Sequence, residues 1–197
     1  ILGSGSLSRK AILSEAGISF TAVAADIDER AIGNRSSAEY AQELVLSIAR
    51  AKADCIIQKL PEDLPSRTLL TADTVVTHNN KIIEKPRSQE EARENYKSYG
   101  LHPCSLVSGI VLTDVVTGSR VEGVDVATVR FKPFSDDAVE KIIEEGKLFK
   151  CAGGIMIENP LVSPFIDSID GNEDTIRGLS IELSQRLFRQ LYAQQES

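Results

Sequence analysis

Residues 69–86, LLTADTVVTHNNKIIEKP, restrict the fold more than any other stretch of this chain. Leu69, Leu70, Val75 and Val76 form the apolar, β-branched run of a buried strand. Asn79-Asn80 supplies residues that tolerate the positive φ of a tight hairpin turn, and Ile82-Ile83 resumes an extended run. Within the first strand Asp73 stands between Ala72 and Thr74. A carboxylate in a buried strand is costly without a partner or a chemical task. Glu84-Lys85-Pro86 follows, with proline fixing the backbone just past a charged pair. The hairpin is therefore expected to turn Asp73 and Lys85 towards one place. A salt-bridged core aspartate and a surface lysine are the alternative.

The chain ahead of this hairpin begins with the end of a strand at Ile1-Leu2. Gly3-Ser4-Gly5-Ser6-Leu7-Ser8-Arg9 then leads into an apolar helical pattern at Ala11, Ile12, Leu13 and Ala16. Strand, Gly/Ser loop and helix form a geometry that cradles phosphate. Backbone N–H groups point at the anion, Ser4 and Ser6 add hydroxyls, and Arg9 adds a forked cation. The same pattern also serves as an ordinary capped helix start.

Residues 20–25 are expected to be a second strand. They lead into Asp26, Asp28 and Glu29, where alternation places both aspartates on one face, suited to Mg²⁺ or to plain solvation. The spacing predicts a long helix over 36–60, capped at Ser36 or Ser37 with Glu39 completing the cap. Its stripe of Leu44, Val45, Ile48, Ala49, Ile56 and Ile57 carries Lys52 on the inward face. An inward lysine either faces an anion or snorkels to the edge, and the anion-facing reading is preferred here.

Residues 61–66 read as a loop and Ser88 as the cap of a helix to Tyr99. Strands are expected over 105–114 and 120–131, the first interrupted at Ser108-Gly109, a mark of close backbone approach to a ligand. Ser135 caps a helix that Gly146 stops. A small-residue loop follows at 151–154, a short strand or helix at 161–169, a polar loop at 171–178 and an amphipathic helix at 178–192. The whole reads as one α/β domain over 1–197.

Composition narrows the function classes. Asp and Glu outnumber Lys and Arg by 29 to 22, for a net charge of −7, and Trp is absent. That balance argues against binding a nucleic-acid polymer, while leaving room for a small polyphosphate held by a local basic cluster. Cys55, Cys104 and Cys151 are odd in number and widely spaced, as reduced thiols rather than a disulfide frame or zinc site. His78 and His102 are too few for a multi-histidine metal centre. No apolar run reaches the roughly 20 residues of a membrane span, and no signal peptide is visible, although the abrupt start at Ile1 leaves the true start open; with the reduced thiols, a cytoplasmic protein is expected.

In order along the chain, Ser4-Gly5-Ser6 with Arg9, Ala49-Arg50-Ala51-Lys52-Ala53, Ala72-Asp73-Thr74-Val75-Val76, Glu84-Lys85-Pro86, Ser108-Gly109, Cys151-Ala152-Gly153 and Gly178-Leu179 resemble the Maf family of nucleoside triphosphate pyrophosphatases. The resemblance implies a mixed, elongated β-sheet flanked by helices, with two lobes around a nucleotide cleft as in the inosine triphosphatases, and a homodimer. It implies hydrolysis of a nucleoside triphosphate to the monophosphate and pyrophosphate with a divalent cation, Mg²⁺ or Mn²⁺. Asp73 would be the proton acceptor for water. Ser4, Arg9, Lys52 and Lys85 would hold phosphates, Ser6, Ser108 and Glu29 would complete the substrate-binding set, and Glu29 with Asp73 would bind metal.

The chain departs from the family pattern in the first loop, where Leu7, Ser8 and Arg9 stand in place of a proline and two arginines. Ser8, Thr74 and Glu158 fall where subgroups differ in base preference. Thr74 is similar to dTTP/UTP-type members, and Glu158 and Cys151 to 7-methyl-GTP-type members. A nucleotide-binding regulator with little turnover is the rival class; it predicts binding without pyrophosphate release.

Overall fold

The computed structural model describes residues 1–61 and 68–193. Helix α1 (Leu7–Glu15) follows the first loop, and α2 (Ala41–Ile57) crosses the sheet. Strands β1 (Thr68–His78) and β2 (Lys81–Ile83) form the hairpin, joined by Asn79 and Asn80 at φ 47° and 59°. These left-handed angles match a turn that follows the natural twist of two strands. Then come α3 (Gln89–Tyr99), β3 (Cys104–Asp114), β4 (Arg120–Phe131), α4 (Asp136–Glu145), β5 (Ile166–Asp170), α5 (Glu173–Ile176) and α6 (Ile181–Ala193).

The strands lie in the order β2-β1-β3-β4-β5, every named pair antiparallel. Among the described residues parallel pairing enters only through Leu2, which bridges both Ala22 and Leu70. The five-stranded sheet is therefore antiparallel rather than mixed, with the parallel bridges of Leu2 outside its strands.

Alternation along β1 divides its contacts. Leu70, Ala72, Thr74 and Val76 share one face, and that face carries two separate cores. Leu70 and Ala72 pack with Leu2, Ile12, Ile110, Leu183 and Leu187 beneath α1 and α6. Val76 packs with Tyr96, Tyr99, Leu106, Val129 and Ile142 beneath α3 and α4. Thr74 falls in the gap between them. The other face is covered by α2, through Val75 with Leu44, Val45 and Ile48, and through Thr71, whose hydroxyl donates to the Ala49 carbonyl at 2.8 Å. Along its outer edge β1 meets Leu2 at Leu70 and β2 from Val76 onward. The edge around Asp73 and Thr74 is left between these two pairings, which is why residues on opposite faces open on one cleft.

Gly109 pairs with Asp73 across β1 and β3. A Cβ there would lie 2.7 Å from Val45 Cγ2 and 3.0 Å from both Leu46 N and Val45 C. The close approach expected at Ser108-Gly109 is therefore to the backbone of α2, not to a ligand. Gly109→Ala is expected to destabilise the fold by about 1–3 kcal/mol, because helix backbone cannot move aside as a flexible side chain would. A urea midpoint equal to wild type would show that α2 is free to shift.

Other expectations shift in detail. Residues 20–25 contribute only the bridge at Ala22 rather than a strand, since the single residue Leu2 is their partner. The helix expected over 36–60 is a 3₁₀ turn (Ala38–Tyr40) followed by α2, and Ser37 caps the turn rather than the α-helix. The polar loop at 171–178 contains the one-turn helix α5, and α6 starts at Ile181, with Ser180 Oγ accepting from Leu183 N at 3.2 Å. Of the loop expected at 61–66, residues 62–66 lie outside the described residues.

Candidate active site

A cleft of about 1020 Å³ opens between the two cores. Its lining contains Ser4, Ser6, Ser8, Arg9, Glu29, Lys52, Asp73, Thr74, Lys85 and Glu158. The lining includes every residue that the family resemblance points to for substrate, metal, base preference or proton transfer except Ser108. Ser108 is fully buried, bonded to Thr74 Oγ1 at 3.1 Å and donating to the Gly178 carbonyl at 3.3 Å. It braces Thr74 from behind, so the expectation that it touches substrate is corrected. Asp26 also lies outside the lining, and Asp28 Oδ1 accepts from Arg30 N at 3.1 Å, capping a turn. The two aspartates, for which Mg²⁺ binding and plain solvation were both open, do not share the cleft.

The first loop is built by its own side chains. Ser4 Oγ accepts from Ser6 N at 3.2 Å, and Ser6 caps α1 by accepting from Arg9 N at 3.4 Å. Arg9 is buried and spends its guanidinium inside the protein. Nε donates to the Gly178 carbonyl at 2.8 Å, Nη1 to Ser4 Oγ at 3.3 Å and Nη2 to Thr74 Oγ1 at 3.1 Å. Burial pushes the guanidinium pKa below its ordinary value, against the attraction of Asp73 and Glu29.

At the floor, Lys52 projects from α2 to the open edge of β1. Its Nζ lies 2.8 Å from Asp73 Oδ1, 2.8 Å from Glu29 Oε1 and 3.3 Å from the Ala72 carbonyl. The lysine is inward, as its helical spacing predicts, but it clamps two carboxylates rather than standing free for an anion. Glu29 is presented by a 3₁₀ turn (Glu29–Ala31), which Arg35 ties down by donating to the Glu29 carbonyl at 2.7 Å and pairing with Glu84 at 3.1 Å.

The two carboxylates titrate in opposite directions. Burial raises Asp73 above the usual carboxylate range, opposed by Lys52 and Arg9 and helped by Glu29. Burial also works against ionised Glu29, but the charge and hydrogen bond of Lys52, with Lys85 and Arg9 beyond, outweigh it and hold Glu29 low. Carboxyl groups driven apart in this way take different roles, one able to accept a proton and one staying ionised.

The far wall comes from residues 147–158. Tyr99 and Tyr96 donate from their hydroxyls to the Gly153 and Gly154 carbonyls, at 3.0 and 2.7 Å, pinning the small-residue loop to the core. Gly153 sits at φ 60°, and a Cβ there would lie 2.6 Å from Val76 Cγ2, so the turn needs glycine.

Seven basic side chains line the cleft against five carboxylates, in a protein whose net charge is −7. Four of the seven, Arg30, Lys147, Lys150 and Arg177, were not singled out from the sequence. A signal for two of them was present: Lys147 and Lys150 stand three apart ahead of the small-residue loop. In the 3₁₀ turn they form (Lys147–Lys150), residues three apart eclipse one another.

Among the described residues no group of three or more His, Cys, Asp or Glu side chains surrounds one point. Glu29 and Asp73 nevertheless converge on the Lys52 ammonium. Two carboxylates focused on a single positive charge are the donor set Mg²⁺ takes when substrate phosphates supply the rest.

A family model described as Maf-like protein matches residues 1–191. A 7-methyl-GTP pyrophosphatase of Dictyostelium discoideum is 36% identical over 195 residues, covering 97% of this chain and 96% of its own. A nucleoside triphosphate pyrophosphatase of Salinispora tropica is 32% identical over 192 residues, covering 97% and 83%. A dTTP/UTP pyrophosphatase of Desulforamulus reducens is 32% identical over 181 residues, covering 92% and 90%.

Proposed function

Because the chain belongs to the Maf-like family, we propose that it is a nucleoside triphosphate pyrophosphatase, hydrolysing its substrate to the monophosphate and pyrophosphate. The observation that carries this reading is Asp73, a buried carboxylate with a raised pKa at the floor of a cleft where cations outnumber carboxylates seven to five. Cleavage of the α–β anhydride adds one water: its oxygen joins phosphorus, the bridging P–O bond breaks, and pyrophosphate leaves with the electron pair. The proton released by the water passes to the Asp73 carboxylate, whose Oδ1 Lys52 holds in place. Glu29 and Asp73 would hold a divalent cation, Mg²⁺ or Mn²⁺, which when bound neutralises phosphate charge and polarises the anhydride. Ser4, Ser6 and the backbone of the first loop would orient the phosphate chain.

The base preference also has a physical argument. The Thr74 hydroxyl is engaged by Arg9, Ser108 and the Gly178 carbonyl, which leaves it little capacity to read a base. The Glu158 carboxylate is exposed on the cleft with no hydrogen bond or ion pair to a described residue, and can accept from the N–H edge of a purine. The reading is therefore of the 7-methyl-GTP type, with Ser8 the further candidate for specificity. The homodimer rests on the family resemblance, and the cytoplasmic location on the odd, widely spaced thiols. No helix among the described residues is long and apolar enough to cross a membrane.

A panel of canonical and modified nucleoside triphosphates with Mg²⁺ or Mn²⁺, assayed for pyrophosphate, tests the function. 7-Methyl-GTP is expected to be turned over fastest. Preference for dTTP or UTP would overturn the role of Glu158. Binding without pyrophosphate from any nucleotide would favour the regulator instead.

A further inference from the structure

The cations of the cleft divide by what they already hold. Lys52 is clamped by Asp73 and Glu29, and Arg9 by Gly178, Ser4 and Thr74. Arg177 forms a two-pronged pair with Glu15 at 2.7 and 2.9 Å, and Lys147 is paired with Glu145. Among the described residues the side chains of Arg30, Lys85 and Lys150 have no hydrogen bond or ion pair, yet all three line the cleft. They come from three separate turns: the 3₁₀ turn after Asp28, the proline-stiffened segment after β2, and the 3₁₀ turn that opens the far wall. Exposed lysines and arginines scattered over an acidic protein need no explanation, but three unpaired cations around one concavity leave a local charge that the protein does not neutralise. Lys85 also acts on groups at both sides, drawing Glu29 down and opposing the upward shift of Cys151.

We propose that Arg30 and Lys150, with Lys85 between them, are the side chains that grip the outer phosphates of the substrate, and that they make the site select a triphosphate over a monophosphate. This rests on the pyrophosphatase reading for the identity of the ligand. The buried cations Lys52 and Arg9 then serve as framework: they fix Asp73, Thr74 and the first loop before substrate arrives, while the unpaired cations meet it. A guanidinium takes two phosphate oxygens through its fork, and an ammonium acts as a mobile point charge, so the pair suits a chain of anions of variable pose.

The test measures binding by calorimetry of the non-hydrolysable α,β-methylene triphosphates of 7-methylguanosine and uridine, beside the corresponding monophosphates, at low and high ionic strength. Arg30→Gln and Lys150→Gln are each expected to weaken triphosphate binding about tenfold, to combine roughly multiplicatively, and to change monophosphate binding by less than about twofold. Their salt dependence should be shallower than that of wild type. In turnover, KM rises while kcat stays within about twofold. Both residues are exposed, so melting temperatures should match wild type. Lys97→Gln, on the outer surface of α3, controls for loss of a generic surface charge. Triphosphate affinity within about twofold of wild type in both variants would overturn the proposal, as would an equal loss for monophosphate. Charge-dependent binding without pyrophosphate release would remove the catalytic reading and leave this one standing. Pyrophosphate release by variants that bind normally would do the reverse.

Discussion

Asp73→Asn is expected to keep triphosphate affinity near that of wild type and to lower turnover by about 10²-fold or more, the usual cost of removing a positioned general base. The amide is close in size to the carboxylate and can still accept from Lys52 through its oxygen, so the floor of the cleft stays assembled. The pH profile supplies the stronger test. A base must be deprotonated to work, and burial holds the Asp73 carboxyl above the ordinary range. The wild-type rate should therefore climb with pH on an acid limb displaced upward from that of a free carboxylate, and the residual rate of the variant should lose that limb. Wild-type pyrophosphate release by Asp73→Asn would remove the residue from the chemistry altogether.

The second large effect is on stability. Lys52→Met leaves Asp73 buried beside Glu29 with their shared counter-charge gone, a change that costs about 3–5 kcal/mol when the stranded charge cannot reach water. The size of the loss depends on pH, with a definite sign. A carboxyl whose folded pKa is raised binds more protons in the native than in the unfolded state between the two values. Stability is thus greatest below the unfolded pKa and falls as pH rises through the raised one. The variant should be much closer to wild type in urea at about pH 5 than at about pH 8, and Lys52→Met combined with Asp73→Asn should recover part of the loss. An equal loss at both pH values would mean that packing of the lysine stem, rather than its charge, is what matters. Anion binding by Lys52 alone would give neither the pH dependence nor the rescue.

The hairpin of β1 and β2 could be read in the sequence because its signals are local: a β-branched run, two asparagines and a second short run. The caps at Ser88 and Ser135 were readable for the same reason, each lying three residues from the N–H that it accepts. Lys52 was recognisable as inward from its place in the stripe of α2, but its partners were not, since Glu29 and Asp73 reach it from other parts of the chain. Ser108 was misplaced because its neighbour Gly109 marks a close approach without saying to what, and helix backbone turned out to be the answer. Arg30 and Lys150 were missed for a related reason. A lysine or arginine in a loop looks the same in sequence whether it faces bulk solvent or a shared concavity.

The clasp between Arg9 and the Gly178 carbonyl has a consequence for how the protein is made. During synthesis the serine loop leaves the ribosome well before the carbonyl that fixes its arginine, which follows 169 positions later. A nascent chain can complete the β1–β2 hairpin early, because those contacts are close in sequence, yet it cannot hold the loop in its final shape until Gly178 has emerged. The final shape of the first loop is thus set only once both ends of this long span have met.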